Sequence, residues 1–486
     1  MGVCFEKTER RIRMDLKAFV TVCITLYAAG LLFLSYRKSL TPLYFYLLSG
    51  VFLGATYFMV LLPWTIPDGA NHFWTSYQRA EMILHGNDGH MARACDLAGW
   101  ELTWCENPNL DAYSRFLQAK ELSLDETLVE NYNGMDELLF YKNFNYWPQI
   151  LGILLARVLH LGFVPLVYMG RLFQMAVVLL GWAYAVYRIP RGKYLLAMLG
   201  VFPLMLQTQT GYSYDGMVVL VCVNFIASVL WSRFEPERRI AYFHVVVFAA
   251  LLGITKGGGY LILLPLLFLL IDRNKRTGAN AIRILLPLLA GVIAVYLADV
   301  AFAPGTLYQV EAASEDMRST KDVFADPLSY LGLLRSTYSY VQSKFYFLSM
   351  LGAYIGFLEY VNPSHGIYLA LVLMIMVSCL DNTGRTERFH KWDYLWMLLP
   401  VVIAGVAIPA MLLKDTPVTE TVICGIQGRY FLPVFPLALL ALDGILPHTK
   451  EGHDLAVRRI RYGLILAFGA LQCYFIWNTM TVFLGR

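Results

Sequence analysis

Two short polar segments stand at the edges of apolar segments that are long enough to cross a membrane. Pro67-Asp68-Gly69-Ala70-Asn71-His72 follows one of these apolar segments, and Gln427-Gly428-Arg429-Tyr430 precedes another. Ionisable side chains at such boundaries are costly without partners, which makes them candidates for function. A carboxylate can accept a proton, and a guanidinium can hold a phosphate. Together the two segments predict a composite site for an anionic substrate at a membrane surface.

The first segment could present an acid, an imidazole and a cation on one helix face. If a helix begins at Pro67, then Asp68, His72 and Arg79 lie within about 40° of one another around its axis. Asp68 and His72 are therefore the catalytic candidates, and Arg79 is a substrate-binding candidate. A structural alternative stays open. Thr65 could cap such a helix and place Asp68 at its third position, where an acid is stabilising without any catalytic role.

The second segment carries a candidate phosphate site. Arg429, flanked by Gln427 and Tyr430, precedes the apolar stretch 431–446. A guanidinium forms a planar fork that suits phosphate, and the start of a helix adds backbone N–H donors. The alternative is an arginine that extends to the membrane edge beside a tyrosine of the interfacial aromatic belt.

Three more residues at apolar boundaries are candidates for the same site. Lys256 is followed by three glycines, which would let backbone approach a ligand closely, although the run lacks the spacing of a P-loop. A plain interfacial cation is the alternative for Lys256. Tyr214 and Asp215 open the apolar stretch 216–232 and are substrate-binding candidates. Asp215 alternatively serves only as the acid of a helix start.

Composition identifies a helical membrane protein. Of the 486 residues, 58% are hydrophobic and 15% are charged, whereas soluble domains have about 25% charged residues. Many apolar runs of membrane-spanning length indicate several transmembrane helices. The formal net charge of +4 is mild, and no basic tail or zinc-ligand spacing indicates nucleic-acid binding. Walker, dinucleotide and serine-nucleophile motifs are also absent from the sequence.

Lys and Arg cluster in five loops, and such loops face the cytoplasm. The clusters lie at 188–193, 233–239, 273–283, 385–391 and 450–461. Placing these loops in the cytoplasm predicts about 12 transmembrane helices in one domain, residues 1–486. Two long loops then lie outside, at 67–170 and 303–362, with interfacial helices over 146–161 and 345–360. Within this scheme the spans after the first loop include 194–209, 216–232, 239–255, 258–272, 282–302, 365–381, 395–413, 430–446 and 463–483.

Three features of the sequence leave alternatives open. The basic segment 1–17 falls outside in this topology, so either the first helix breaks the charge rule or the segment lies flat on the membrane. Cys95 and Cys105 share one loop and could form a disulfide or remain free thiols. His85 and His90 lack the i, i+4 spacing of a zinc site, so the spacing predicts no metal site.

The order of several motifs resembles that of DUF2142, a family of prokaryotic membrane proteins of unknown activity. That family usually has Pro-Asp-Glu-x-x-His, and this chain has Gly69 in place of the Glu. Four later landmarks follow in order, so that the resemblance covers roughly residues 44–446. They are Asn143–Pro148 with Gly170-Arg171-Leu172, Phe202-Pro203-Leu204 through Tyr214-Asp215, the Lys256 turn, and Gln427-Gly428-Arg429-Tyr430-Phe431.

DUF2142 in turn resembles the GT-C glycosyltransferases, which implies a function. Such enzymes transfer a sugar from a polyprenyl-phosphate carrier to a glycan, lipid or protein acceptor of the cell envelope, outside the cytoplasm. The resemblance implies an inverting enzyme of the prokaryotic cytoplasmic membrane. Asp68 would be the general base, and Arg429, with Lys256, would hold the carrier phosphate. Only some of these enzymes use a divalent metal. His72 is at most a weak ligand candidate, so no cofactor is assigned.

Two other classes compete with this interpretation. A flippase of lipid-linked sugars would carry charges midway through its spans and often an inverted repeat. Here the charges lie at span ends, and the sequence shows no repeat. A non-catalytic scaffold for envelope assembly would use the same residues structurally.

Overall fold

The computed structural model describes residues 2–86, 90–105, 109–131, 133, 144–271, 277–302, 317–381, 389–449 and 455–485. Several predicted features lie outside these residues. They are Asn143 of the second landmark, residues 303–316 of the second long loop, and the basic residues Arg273, Lys275, Arg276, Arg385, Arg388 and Lys450.

The described chain is almost entirely helical. Its α-helices are α1 (Gly2–Tyr36), α2 (Pro42–Val60), α3 (Gly69–His85), α4 (Ala94–Thr103), α5 (Leu110–Ala119), α6 (Trp147–Val158), α7 (Phe163–Arg188), α8 (Lys193–Leu199), α9 (Pro203–Thr210), α10 (Asp215–Phe234), α11 (Arg239–Ile254), α12 (Thr277–Phe302), α13 (Asp322–Ala325), α14 (Pro327–Thr337), α15 (Tyr340–Leu351), α16 (Ser364–Cys379), α17 (Lys391–Met411), α18 (Phe435–Ile445) and α19 (Leu455–Leu484). Four 3₁₀ helices cover Thr255–Gly258, Leu261–Leu270, Leu413–Asp415 and Gly428–Tyr430. Two antiparallel strand pairs are β1 (Met91–Arg93) with β2 (Leu128–Glu130), and β3 (Tyr354–Ile355) with β4 (Glu359–Tyr360).

Eight helices of the described chain are long and apolar enough to cross a membrane, which confirms a multi-span helical protein. They are α1, α2, α7, α10, α11, α12, α17 and α19. The other four predicted spans are shorter or broken. Residues 194–209 form α8 and α9, separated by Gly200–Phe202, and 365–381 contain the 16-residue α16. Residues 258–272 form a 3₁₀ helix with Pro265 inside it, and 430–446 contain the 11-residue α18.

The helix α10 lies at the centre of the bundle. Almost all of its residues are buried, including Asn224 and Ser228. A helix that is apolar on every side is expected to be surrounded by other helices. Arg188 at the end of α7 donates to both buried polar groups of α10, at 2.7 Å from Asn224 Oδ1 and 3.1 Å from Ser228 Oγ. These bonds satisfy polar atoms that would otherwise be unpaired in the core.

The first long loop folds into a compact layer of helices α3 to α6 with the β1–β2 pair. Two buried ion pairs join its parts. Arg93 Nε lies 2.8 Å from Asp96 Oδ2, and Arg157 of α6 pairs with Glu81 of α3. Because unpaired charges in the interior are costly, both pairs fix the register of the layer.

The two predicted interfacial helices have different outcomes. The first corresponds to α6, which buries one face and leaves apolar side chains such as Leu151 and Leu155 exposed on the other. The second prediction, one helix over 345–360, is wrong. The helix α15 ends at Leu351 because Gly352 has a φ of +94°, and the chain then forms the β3–β4 pair.

The first helix resolves the question of the N-terminal segment. Helix α1 is continuous from Gly2 to Tyr36, so residues 2–17 are not a separate helix lying flat. Ile12 and Leu16 of its N-terminal half are buried, and α1 contacts α5 of the first long loop. The N-terminal half of α1 therefore packs against that loop. If the loop is external, as the predicted topology has it, this helix breaks the charge rule.

The cysteines of the first loop are both free and buried. The alternative of two thiols is therefore the one that the structure has, and the disulfide alternative is wrong for this structure.

Gly152 permits the contact between α6 and α7. A Cβ atom at this position would lie 2.4 Å from the carbonyl oxygen of Met169. We expect Gly152→Val to destabilise the protein by about 1–3 kcal/mol, because an overpacked backbone contact must separate the two helices. Thermal unfolding of the detergent-solubilised protein measures this. Gly162→Ala is the control, since nothing lies within 4 Å of a Cβ atom there. Equal melting temperatures for both variants would contradict the expectation.

Candidate functional site

The side chain of Arg429 joins the two halves of the predicted site. Its Nη2 donates to Asp68 Oδ2 at 2.9 Å, and its Nε lies 3.3 Å from Asp215 Oδ2. Its Nη1 also donates to the carbonyl oxygen of Pro67 at 3.4 Å. The guanidinium is 8% exposed, so these contacts occur in an environment that screens charge poorly. Segments 361 positions apart in the chain therefore meet at one cation.

A short 3₁₀ turn positions Arg429. The Gly428 N–H donates to Ser349 Oγ of α15 at 3.3 Å, and a Cβ atom on Gly428 would lie 2.2 Å from the Tyr346 carbonyl oxygen. Only glycine allows this approach. The predicted helix start is wrong, because α18 begins only at Phe435. The N–H donors that the start of a long helix would add for a phosphate therefore do not accompany Arg429.

Asp68 lies before α3 in a conformation that is unusual for its residue type. Its φ is +61° and ψ is 11°, its side chain is 55% exposed, and it forms no capping hydrogen bond. A positive φ outside glycine is uncommon, although Asp tolerates it better than most residues. The helix starts at Gly69, so the predicted start at Pro67 is wrong. The capping alternative is also wrong, because Thr65 Oγ1 donates to the Leu62 carbonyl oxygen.

His72 is buried one turn into α3. Its Nδ1 lies 2.7 Å from the Tyr146 hydroxyl, and its ring meets that of Tyr214 edge-on at 4.8 Å. Burial lowers the pKa of His72 from 6.5 to about 4, and the opposing influence of Asp215 and Asp68 does not reverse this. His72 is therefore neutral at pH 7. The sequence analysis did not name Tyr146 as a site residue, although Tyr146 belongs to the Asn143–Pro148 landmark.

Lys256 supplies the second cation of the cluster. Three consecutive residues, Lys256 to Gly258, have positive φ values of 48°, 61° and 77°. The turn directs the Lys256 ammonium over two aromatic rings, at 4.9 Å from the centroid of Tyr214 and 4.7 Å from that of Tyr430. The ion pairs of Asp68 and Asp215 in this cluster are with Arg429. Two carboxylates and two cations give the cluster a formal charge of zero.

Two predicted residues relate to the cluster differently. Gln427 lines a small cavity with Pro67 and Arg429, and its Oε1 has no hydrogen-bond partner within the described chain. The cavity volume of about 20 Å³ is enough for about one water molecule. Arg79 lies about 10 Å further along α3 than His72, with its Nη1 3.6 Å from Met82 Sδ. The structure does not bring Arg79 to the Arg429 cluster.

The donor set offers little to a metal ion. Over the described ranges, no group of three or more His, Cys, Asp or Glu side chains has the arrangement of a metal site. In the cluster itself, Arg429 lies between the two carboxylates that a divalent cation would bridge.

These features define a helical membrane protein with a charged cluster at one end of its bundle. The family described as "Predicted membrane protein (DUF2142)" matches residues 113–438, and this chain belongs to that family. The match includes Tyr146, Asp215, Lys256 and Arg429, whereas Asp68 and His72 precede it. No curated protein and no solved structure matches the chain.

The burial of His72 predicts a pH dependence of stability. The unfolded chain binds a proton at His72 below about pH 6.5, and the folded protein binds it only near pH 4. Stability should therefore fall as pH decreases from 6.5 to 4, by on the order of 3 kcal/mol from this group. The difference between the unfolding midpoints measured near neutral pH and near pH 5 should be smaller in His72→Gln than in the native protein. His365→Gln, at an exposed position, is the control and should retain the native pH dependence.

Proposed function

We propose that this protein is an inverting membrane glycosyltransferase that uses a polyprenyl-phosphate sugar and acts on a cell-envelope acceptor outside the cytoplasm. One observation carries the proposal. A half-exposed carboxylate, Asp68, is held by a buried guanidinium beside a second cation, Lys256, at one end of a helical membrane bundle. Sugar transfer from a lipid phosphate needs a base for the acceptor and positive charge for the leaving phosphate.

The length of α10 supports an external position of the cluster. Asp215 at its start belongs to the cluster, and Arg233 near its end lies 3.8 Å from Asp393 at the start of α17. Asp215 and Arg233 are 18 positions apart, which corresponds to about 27 Å of helix and is close to the roughly 30 Å of a hydrocarbon core. The cluster and the basic end of α10 therefore belong to opposite membrane boundaries. If the basic end is cytoplasmic, the cluster is external. In this topology the four short or broken helices complete the twelve crossings.

Asp68 is the proposed general base. An acceptor hydroxyl oxygen attacks the anomeric carbon, its proton passes to the Asp68 carboxylate, and the bond from that carbon to the phosphate oxygen breaks. The phosphate leaves with the bonding electrons. One displacement inverts the configuration of the sugar. Arg429 keeps the carboxylate oriented, because its Nη2 occupies one Asp68 oxygen while the exposed side of the carboxylate stays open to the acceptor.

Lys256 is the proposed primary phosphate ligand. Arg429 is paired with two carboxylates, whereas Lys256 lies over two aromatic rings and interacts with Asp215 only through space, without an ion-pair contact. The cluster has a formal charge of zero, so a donor phosphate bound at Lys256 would make its net charge negative only while the donor is present. The growing charge on the leaving phosphate strengthens its attraction to both cations, which lowers the barrier more than it stabilises the bound donor.

The central prediction is that Asp68→Asn abolishes sugar transfer. The amide cannot take the acceptor proton, so we expect a loss of at least about 100-fold in kcat. Purified protein would be incubated with radiolabelled polyprenyl-phosphate hexoses and pentoses, with a membrane fraction as the acceptor. Asp111→Asn is the matched control, since Asp111 is an acid of the same loop whose ion pair within the described residues is with Arg115 of its own helix.

Each outcome of that assay distinguishes a function class. Covalent transfer that Asp68→Asn removes supports the enzyme. Movement of the labelled lipid across reconstituted vesicles without transfer would indicate a flippase. If Asp68→Asn lowered the melting temperature and no chemistry occurred in the native protein, the residue would be structural, as in a scaffold.

Removal of the Lys256 charge should weaken donor binding and slow transfer. Lys256→Asn should raise KM for the lipid donor by about 10-fold or more and also lower kcat, because it removes a phosphate contact that strengthens in the transition state. Asn tolerates the left-handed backbone that the position requires. Lys256→Arg, which retains the charge, should recover most of the donor affinity. An unchanged donor KM in Lys256→Asn would exclude Lys256 as the phosphate ligand.

A further inference from the structure

A groove lies apart from the charged cluster, between α1, α5 and the adjoining ends of α2 and α7. Its volume is about 1350 Å³. Phe19 of α1, Met59 of α2, Phe116 of α5 and Val164 of α7 belong to its lining. No residue of the Asp68–Arg429 cluster lines it, so this groove is distinct from the proposed transferase site.

The groove has a charged edge and an apolar remainder, as a membrane lipid has a charged head group and apolar chains. Its charged lining residues gather at one edge: Arg11 and Asp15 on the outer turns of α1, and Lys120 and Glu121 after α5. Phe19 lies about 12 Å further along α1 than Arg11, in the direction of the bundle. A lipid placed with its head group at the charged edge would have its chains on the apolar part of the groove, as in a membrane leaflet.

The surroundings of the groove place it at a membrane boundary. The helices α1, α2 and α7 all belong to the set that can cross a membrane, and the groove is lined from the final residues of α2 and the first residues of α7. Helix α5 covers its outer side and exposes Leu117. Lipids are the molecules present at this depth, and amphipathic helices lie at the same level.

A buried arginine behind the groove wall adds positive charge. Arg171 of α7 is fully buried, and its Nε donates to the Thr210 carbonyl oxygen at 2.6 Å. Within the described chain its Nη1 and Nη2 make no hydrogen bond of regular geometry, and the side chain of Tyr168 is a polar neighbour of the guanidinium. The guanidinium lies 5.3 Å from the ring centroid of Tyr168, a lining residue, and 4.7 Å from that of Phe58. A buried cation without a carboxylate favours a nearby anion.

We propose that this groove binds one phosphate-bearing membrane lipid. The acyl chains lie against Phe19, Met59 and Phe116. The phosphate lies toward Lys120 and Arg11 under the additional attraction of Arg171. Arg11 Nε is 3.7 Å from Asp15 Oδ2, but this ion pair is exposed and weak, so that the guanidinium can turn to the phosphate. The lipid is a resident ligand and not the sugar donor, so the proposal does not depend on the transferase activity. Its occupancy would hold α1 against α5 and thereby stabilise the first long loop.

Native mass spectrometry of the full chain tests this site. The protein is first exchanged into nanodiscs of phosphatidylglycerol and then transferred to detergent. Its mass spectrum should then show one lipid bound per chain. Val164→Trp, which fills the groove, should lower the retained fraction at least five-fold. Leu180→Trp is the matched control, because Leu180 is an exposed position of the same helix outside the groove. Equal retention in both tryptophan variants would overturn the proposal.

A second pair of variants isolates the head group and is expected to fold, since the positions are exposed. Arg11→Glu should lower retention of phosphatidylglycerol at least three-fold, whereas Arg10→Glu, an exposed neighbour outside the groove, should not. Inorganic phosphate alone should not displace the lipid. Displacement by inorganic phosphate, or equal effects of the two charge reversals, would contradict a lipid site and indicate general anion binding.

Discussion

The ion pairs of Arg429 organise this end of the molecule. One guanidinium contacts carboxylates from two other segments, at 2.9 Å from Asp68 and 3.3 Å from Asp215. Because a buried charge without a partner costs several kcal/mol, the buried pair of Arg429 and Asp215 requires both residues, and the half-exposed Asp68 joins the same guanidinium. The start of α10 and the turn before α18 must therefore come together for either buried charge to be tolerated, and the first long loop meets them through Asp68.

This constraint explains the irregular backbone around the cluster. Asp68 and Lys256 both adopt positive φ values, and Gly428 sits where no side chain could fit. A regular helix through any of these positions would direct the charged groups elsewhere. Non-helical backbone within a membrane bundle is tolerated where protein surrounds it or where it lines a cavity. The irregular turns are thus expected at a site and not in the spans that support it.

Charge balance also separates the roles of similar residues. Arg429 and Lys256 are both cations of one cluster, but the first is neutralised by acids and the second lies over aromatic rings. Arg171 is a third case, a buried guanidinium behind a separate groove, with two nitrogens that make no hydrogen bond of regular geometry within the described chain. The three cations therefore differ in how far protein groups already balance their charge.

The sequence alone determined the class of the protein and the residues that deserve scrutiny. Apolar run length and low charge follow directly from bilayer thickness, so a multi-span helical protein was predictable, and Asp68, Asp215 and Arg429 stood out as charges at span ends. Their pairing was not predictable, because contacts between residues hundreds of positions apart depend on how helices pack. Tertiary structure also decided that α3 starts at Gly69, that the stretch 345–360 ends its helix at Gly352, and that Arg79 lies away from the cluster. Local pattern could not give these outcomes, because a left-handed residue or a buried partner overrides helical periodicity at single positions.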